Sequence, residues 1–186
     1  MTLPYTISRW SLADLFPSQE SPQMTRAFDD LDAQVSAFEA RRTQLSPEMP
    51  VSDFMEVARQ LEKIMSQVHS IHGFAELSFS GDTQDQAALA FLGRVEQTLA
   101  HIQNRVLFFS LWWKDLDEAS AARLMAEAGD YRYWLEEMRH FKPHTLSEAE
   151  EKIINIKDVT GVSAMHSLYD SITNRYVFKV EVEGEV

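Results

Sequence analysis

Residues 83–114 read TQDQAALAFLGRVEQTLAHIQNRVLFFSLWWK, and this stretch decides the fold. It contains no proline, so a helix from Gln84 to about Lys114 would approach 45 Å at ~1.5 Å per residue. Its start, Thr83-Gln84-Asp85-Gln86, fits a capping box, in which hydroxyl and amide side chains satisfy free backbone donors. Its second half, Val106–Trp113, is apolar on every side. Such a helix must be surrounded by other elements or lie at an interface.

Two amphipathic helices are predicted before this stretch. Ser21-Pro22 is typical of an N-cap followed by proline at the first helical position, and that helix would run to about Arg42. After a proline-containing loop, Ser52 is the predicted cap of a second helix that ends near Gly81. The apolar residues of the first helix follow steps of three and four: Met24, Phe28, Leu31, Val35 and Phe38.

Shorter helices are predicted after Lys114. Asp117, Asp130 and Ser147 are their candidate caps, and Ser147 opens a capping box with Glu150. The predicted ends are near Gly129, His140 and Gly161, and a last helix covers 163–172. We therefore predict an all-α fold, an antiparallel bundle of about six to seven helices that includes one long helix. The predicted divisions are an N-terminal packing arm (1–20), a helical domain (21–173) and a C-terminal strand (174–186).

The C-terminal segment has a different pattern. Phe178, Val180 and Val182 alternate with charged residues, which is typical of a half-buried β-strand. No second strand is predicted, and a lone strand leaves its backbone groups unpaired. We therefore expect these three residues to pair with a missing domain or a second chain, and the polypeptide to belong to something longer. An artificial homodimer through this strand is the alternative expectation.

Composition excludes several classes of protein. The 186 residues suit one domain, and a hydrophobic share of 45% argues against general disorder. A formal charge of −12 argues against nucleic acid or an anionic membrane as partners. There is no cysteine, which excludes disulfides and thiolate chemistry and fits a reducing cytosol. No signal peptide or apolar run of membrane-spanning length is recognisable.

The histidines are the natural candidates for a metal site. His69 and His72 are three residues apart on a predicted helix, and with nearby carboxylates they are candidate zinc ligands; ordinary surface histidines are the alternative. Glu137 and His140 have the Glu-x-x-His spacing of di-iron bundles, but such sites need two copies and further glutamates. His140 and His144 flank a proline and suit a helix end. There is no H-E-x-x-H, G-x-S-x-G or phosphate-binding glycine loop.

Three tryptophans are candidates for a ligand groove. Trp112, Trp113 and Trp134 have the apolar bulk that would line one, and packing in the core is the alternative. Neither the tryptophans nor the histidines form a recognisable catalytic set. From the residues alone, we predict no catalytic and no metal-binding residue in this chain.

Three segments resemble the N-terminal region of the oligoendopeptidase F family, which is related to thimet oligopeptidase. Their order and spacing also resemble the family's, and the second segment is the most specific. The segments are WSLADLF at 10–16; YRYWL at 131–135 with FKPHTLSEAEEKI at 141–153; and YD at 169–170 with TNRYVF at 173–178.

This resemblance implies a function for the parent protein. Members are cytosolic zinc endopeptidases that cleave short peptides, and their catalytic half carries an H-E-x-x-H helix that holds zinc. No such motif occurs in these residues, so no catalytic or metal residue is transferred, and no cofactor is expected here although zinc is expected in the parent's catalytic domain. The N-terminal helices form part of a channel wall that restricts substrates to short peptides. The expected partner is the parent's own catalytic domain.

A second hypothesis is a free-standing helical interaction or dimerisation module without catalytic activity. It is motivated by the unpaired strand and by the apolar Val106–Trp113 stretch, since orphan surfaces of this kind favour self-association.

Overall fold

The computed structural model describes residues 10–179, and all regular structure in that range is helical. The predicted all-α class is confirmed. The α-helices are α1 (Pro22–Glu39), α2 (Val51–Gly81), α3 (Gln86–Asp115), α4 (Glu118–Leu124), α5 (Arg132–His140), α6 (Glu148–Asp158) and α7 (Ala164–Thr173).

Helices α1, α2 and α3 run alternately up and down and bury one continuous hydrophobic core. Ser21 caps α1 as predicted, because its hydroxyl accepts a hydrogen bond from the backbone N–H of Met24 at 3.2 Å. Phe38 of α1 and Phe54 of α2 are fully buried, and both pack against Phe109 of α3. Burial of these large side chains is the main source of stability for the bundle.

Helix α3 lies at the centre of the fold. It packs against α1 and α2 on one side and against α5 and α6 on others. This position explains the all-round apolar stretch Val106–Trp113, in which no residue is exposed. The interpretation that this stretch must be surrounded is therefore confirmed.

Helices α4 and α5 close the end of the bundle at which α3 ends. Trp113 is fully buried there, stacks on Phe54 with ring centroids 4.9 Å apart, and donates its indole N–H to the carbonyl of Leu135 at 2.9 Å. Gly129 has φ 51°, the left-handed conformation that glycine adopts without strain, and it lies where the chain turns from α4 towards α5.

The last two helices form one continuous rod rather than two separated helices. A π-helical segment, Val159–Ser163, joins α6 directly to α7. The predicted end of a helix near Gly161 is therefore wrong: the extra residue of the π turn is accommodated without a break, and the glycine lies within it. We call Glu148–Thr173 the C-terminal rod.

The C-terminal rod lies antiparallel along α3. At its start Asn155 donates its side-chain N–H to Asn104 Oδ1 at 2.8 Å, in the second half of α3. Just past its end Asn174 donates to the Thr83 hydroxyl at 3.2 Å, immediately before α3. Arg175 likewise donates to the side chain of Gln84 at 3.0 Å.

Three predicted caps lie at other residues. Asp85, not Thr83, caps α3 because its carboxylate accepts from Ala87 N and Ala88 N. Helix α2 begins at Val51 after Pro50 and has no side-chain cap, so Ser52 is already inside it. Asp130 lies in a short 3-10 turn before α5.

Residues 174–179, the described part of the predicted C-terminal strand, form no strand. Phe178 lies in an irregular segment after α7, and its side chain is 82% exposed. Val180 and Val182 lie outside the described residues. In the arm before α1, Leu12 and Phe16 pack against the core, and Phe16 meets Phe74 edge-on, whereas Trp10 is exposed.

Candidate functional site

The C-terminal rod turns a polar stripe towards the bundle. Its half-buried positions recur every three or four residues, the spacing of one helix face. Apart from one valine, the residues of this stripe are polar: Glu148, Lys152, Asn155, Val159, Ser163, Ser167 and Ser171. No residue of the rod is fully buried.

The apolar residues of the same rod point away from the bundle. Ile153 and Met165 are each 63% exposed, and Tyr169 is 67% exposed. We call the full set the outer apolar face: Ile153, Ile154, Ile156, Val162, Met165, Tyr169 and Ile172. In an ordinary surface helix these residues would form the buried stripe. Apolar side chains grouped in this way on a surface mark an interaction site.

The exposed apolar surface continues beyond the rod. Tyr176, Val177 and Phe178 are exposed in the segment that follows α7. Phe141 and Leu146 are exposed just before α6. The outer apolar face is therefore part of an extended strip that runs along the last quarter of the described chain.

Charged contacts fasten the start of the rod. Glu148 accepts two hydrogen bonds from the Arg42 guanidinium, at 2.7 and 3.1 Å, and one from Lys152 Nζ at 2.7 Å. Hydrogen bonds from Arg42 and Lys152 lower the pKa of Glu148 to about 2. Ser147 and Glu150 form the predicted capping box, with Glu150 accepting from Ser147 N at 2.9 Å. The sequence prediction for this helix start is confirmed.

The second half of the rod is packed more loosely. A cleft of about 330 Å³ lies between α3 and α7, and Leu92, Leu168 and Ser171 are among its lining residues. Glu96 of α3 lies at this cleft beside Ser163, and its burial raises the pKa of its carboxyl group. Most of the cleft's lining residues are apolar, but because the cleft is open they bury little surface against each other. Side-chain hydrogen bonds join the rod to α3 on either side of this cleft.

The predicted metal candidates are not brought together. His72 Nδ1 lies 3.5 Å from Glu76 Oε2 within α2, and His69 is exposed on the same helix. His140 lies 3.3 Å from Glu137 on the surface of α5, and His144 is exposed in the next turn. Within residues 10–179 no group of three or more His, Asp or Glu side chains is arranged to hold a metal ion. These residues do not fit a zinc centre, and no zinc chemistry is assigned to them.

The three tryptophans have different environments. Trp113 belongs to the core, and Trp134 is partly buried against it. Trp112 is half-buried and lines a cavity of about 580 Å³ between the end of α3, the turn after α1 and the start of α6. The three side chains therefore do not form one groove.

Arg139 is a residue that sequence reasoning missed. Its guanidinium is buried and donates to the carbonyls of Trp113 and Leu116 at 2.7 and 2.9 Å, and to Glu118 at 2.6 Å. It thereby satisfies free carbonyl groups at the end of α3. An arginine flanked by Met138 and His140 on a short helix carries no sequence signal that would distinguish it from a solvated one.

The comparison with protein families identifies the last part of the chain. Residues 112–178 match the family model described as oligopeptidase F, for the N-terminal region of these peptidases. The match includes α4, α5 and the C-terminal rod, and so the outer apolar face. It confirms the resemblance inferred from the sequence. No curated protein and no solved structure gave a match. None of the helices within residues 10–179 is both long and apolar enough to cross a bilayer.

Proposed function

Because residues 112–178 match the family model described as oligopeptidase F, we propose that this chain is the non-catalytic helical domain of a cytoplasmic zinc oligopeptidase that hydrolyses short peptides. The outer apolar face is the observation that supports this role. It lies inside the matched residues, and the bundle does not cover it.

The occupant of the outer apolar face is the catalytic half of the same enzyme. The rod packs its polar stripe against its own domain and exposes its apolar stripe to solvent. This arrangement is typical of a helix that binds a large apolar partner. Obligate interfaces between domains resemble a hydrophobic core cut in two, which is the composition found here. The match to a family whose members carry a second, catalytic half favours that half over an unrelated protein.

Docking through this face would place the bundle beside the active site. The long helices would then form part of the wall of the substrate channel, and folded proteins would be excluded by size. Catalysis, zinc and the general base belong to the catalytic half in this proposal. The residues of this chain restrict access to short peptides and position the channel wall.

The docking proposal is tested by co-expression with the zinc-binding half of an oligopeptidase F enzyme. We expect the two chains to co-purify in equal amounts. Ile153→Asp together with Met165→Asp places two charges on the outer apolar face, and desolvating them should abolish co-purification. Leu77→Asp is the matched control, since Leu77 is also an exposed apolar residue but belongs to α2.

Two results would contradict the docking proposal. One is co-purification that survives the double substitution, and the other is equal loss in the Leu77→Asp control. A chain that forms a stable homodimer through the same face, and ignores the catalytic half, would instead favour the free-standing interaction module. Sedimentation of the chain alone at several concentrations distinguishes these cases.

The channel role needs its own measurement. The co-purified complex should cleave a short unstructured peptide and leave a folded protein intact. Equal cleavage of both substrates would contradict confinement by this domain, even if docking is correct.

A further inference from the structure

The cavity beside Trp112 combines an apolar wall with cationic side chains. Its volume is about 580 Å³, within the ~300–1,000 Å³ range of small-ligand sites. Phe108, Leu111 and Trp112 of α3 provide the apolar wall. Three cations, Arg42, Lys114 and Lys142, and two carboxylates, Asp115 and Glu148, also line it. Cations therefore outnumber carboxylates in the cavity, although the chain as a whole carries a net charge of −12.

Two of these three cations already have hydrogen-bond partners within the chain. Arg42 is held by Glu148, as described above. Lys142 donates to the carbonyls of Asp115 and Leu116 at 3.1 and 3.3 Å. Arg42 thereby joins the turn after α1 to the start of α6, and Lys142 joins the turn after α5 to the end of α3.

Lys114 is the remaining cation. It is half-buried and has no hydrogen-bond or ion-pair partner within residues 10–179. A partly desolvated ammonium group gains most from an anion that reaches it, because charge-assisted hydrogen bonds are the stronger kind. The neighbouring apolar wall favours an anion attached to an apolar body.

We propose that this cavity binds the carboxyl-terminal end of a short peptide whose last side chain is apolar. The α-carboxylate pairs with Lys114, and the last side chain packs against Trp112 and Leu111. A peptide as ligand rests on the proposed function, since an oligopeptidase domain meets short peptides. The cavity shares no lining residue with the outer apolar face itself, although Leu146 of the adjoining exposed strip lines it.

The test is a calorimetric titration of the 186-residue chain with the peptide Ala-Ala-Leu-Phe and with its C-terminal amide. We expect the free acid to bind at least ~10-fold more tightly than the amide, because only the acid forms the charge-assisted contact. In Lys114→Gln this preference should disappear. Lys157→Gln is the control, since Lys157 is exposed on α6 and does not line the cavity.

Three more measurements distinguish a peptide site from a simple anion site and from a damaged fold. Acetate alone should bind much more weakly than the peptide, because it lacks the apolar body; equally tight acetate binding would overturn the proposal. Thermal unfolding of Lys114→Gln should match that of the unsubstituted chain. Trp112→Leu, which keeps Lys114, should weaken acid and amide alike.

Absence of peptide binding, or equal binding of acid and amide, would overturn this inference. Neither result would bear on docking, because the titration uses the chain alone. Loss of co-purification with the catalytic half would count against docking and leave the titration unchanged.

Discussion

The three-helix core and the C-terminal rod place their apolar side chains in opposite directions. In α1–α3 the large apolar residues meet at the centre, and Phe38, Phe54 and Phe109 are fully buried. In the rod the stripe against α3 is mostly polar, and the apolar residues face solvent. The core therefore buries its own apolar side chains, whereas the rod leaves most of its apolar side chains exposed.

The contrast between core and rod is tested most severely by removing a large core side chain. Trp113→Ala should lower the free energy of unfolding by about 3–5 kcal/mol, because it leaves a cavity beside Phe54 and frees the Leu135 carbonyl. Tyr169→Ala, on the outer apolar face, should change it by less than about 0.5 kcal/mol. Urea unfolding measures both, and similar losses in the two variants would contradict the contrast.

Arg139 provides the next largest effect. Arg139→Met should cost about 2–3 kcal/mol, because the Trp113 carbonyl loses the guanidinium donor in a buried place and the Leu116 carbonyl keeps only Lys142. Arg132→Met is the control, since that exposed arginine pairs with Glu136 on the surface and donates one hydrogen bond, to the Met125 carbonyl at 3.2 Å, so its loss should cost under about 1 kcal/mol. The larger loss in the Arg132 variant would show that Arg139 does not cap α3.

A cap substitution probes the start of the rod. Ser147→Ala removes the hydroxyl that accepts from Glu150 N, and should cost about 1 kcal/mol. Ser167→Ala, on the rod's inner stripe but not at a cap, should cost less. Circular dichroism during urea unfolding checks both, and equal costs would contradict a specific role for the capping box.

Glu148 provides the smallest effect and a dependence on pH. Its pKa is about 2 in the folded chain against an ordinary 4.5, so its contribution is complete above about pH 4.5 and is lost as the pH falls through about 2. The carboxylate is partly exposed, so the contribution should stay below about 1 kcal/mol. The free energy of unfolding is measured as a function of pH for the unsubstituted chain and for Glu148→Gln, and the difference between the two curves isolates this contribution. Parallel curves between about pH 2 and pH 5 would contradict the ion pair.

Much of the helical bundle could be predicted from local patterns. The Ser21 cap, the Ser147 capping box and the apolar stretch Val106–Trp113 each have one dominant physical cause, and all three predictions are confirmed. The predicted break at Gly161 is wrong, because packing along α3 carries the helix through a π turn. Local helix propensity does not include the effect of packing against residues that are distant in the sequence.

The candidate site was harder to predict. The isoleucines of α6 have the pattern of an ordinary buried stripe, and only the position of α3 shows that the polar stripe faces inward. The surroundings of Lys114 are formed by residues far away in sequence, such as Arg42 and Lys142, which line the same cavity. Burial of Arg139 is likewise set by α3 and not by its own neighbours.

The central claim is that the outer apolar face receives the catalytic half, and hydrogen–deuterium exchange tests it most directly. Amide exchange is measured for the chain alone and for the co-purified complex. We predict slower exchange in the complex over residues 148–173, with α1 and α2 nearly unchanged. Slowing confined to α1 or α2, or no change along the rod, would contradict the account.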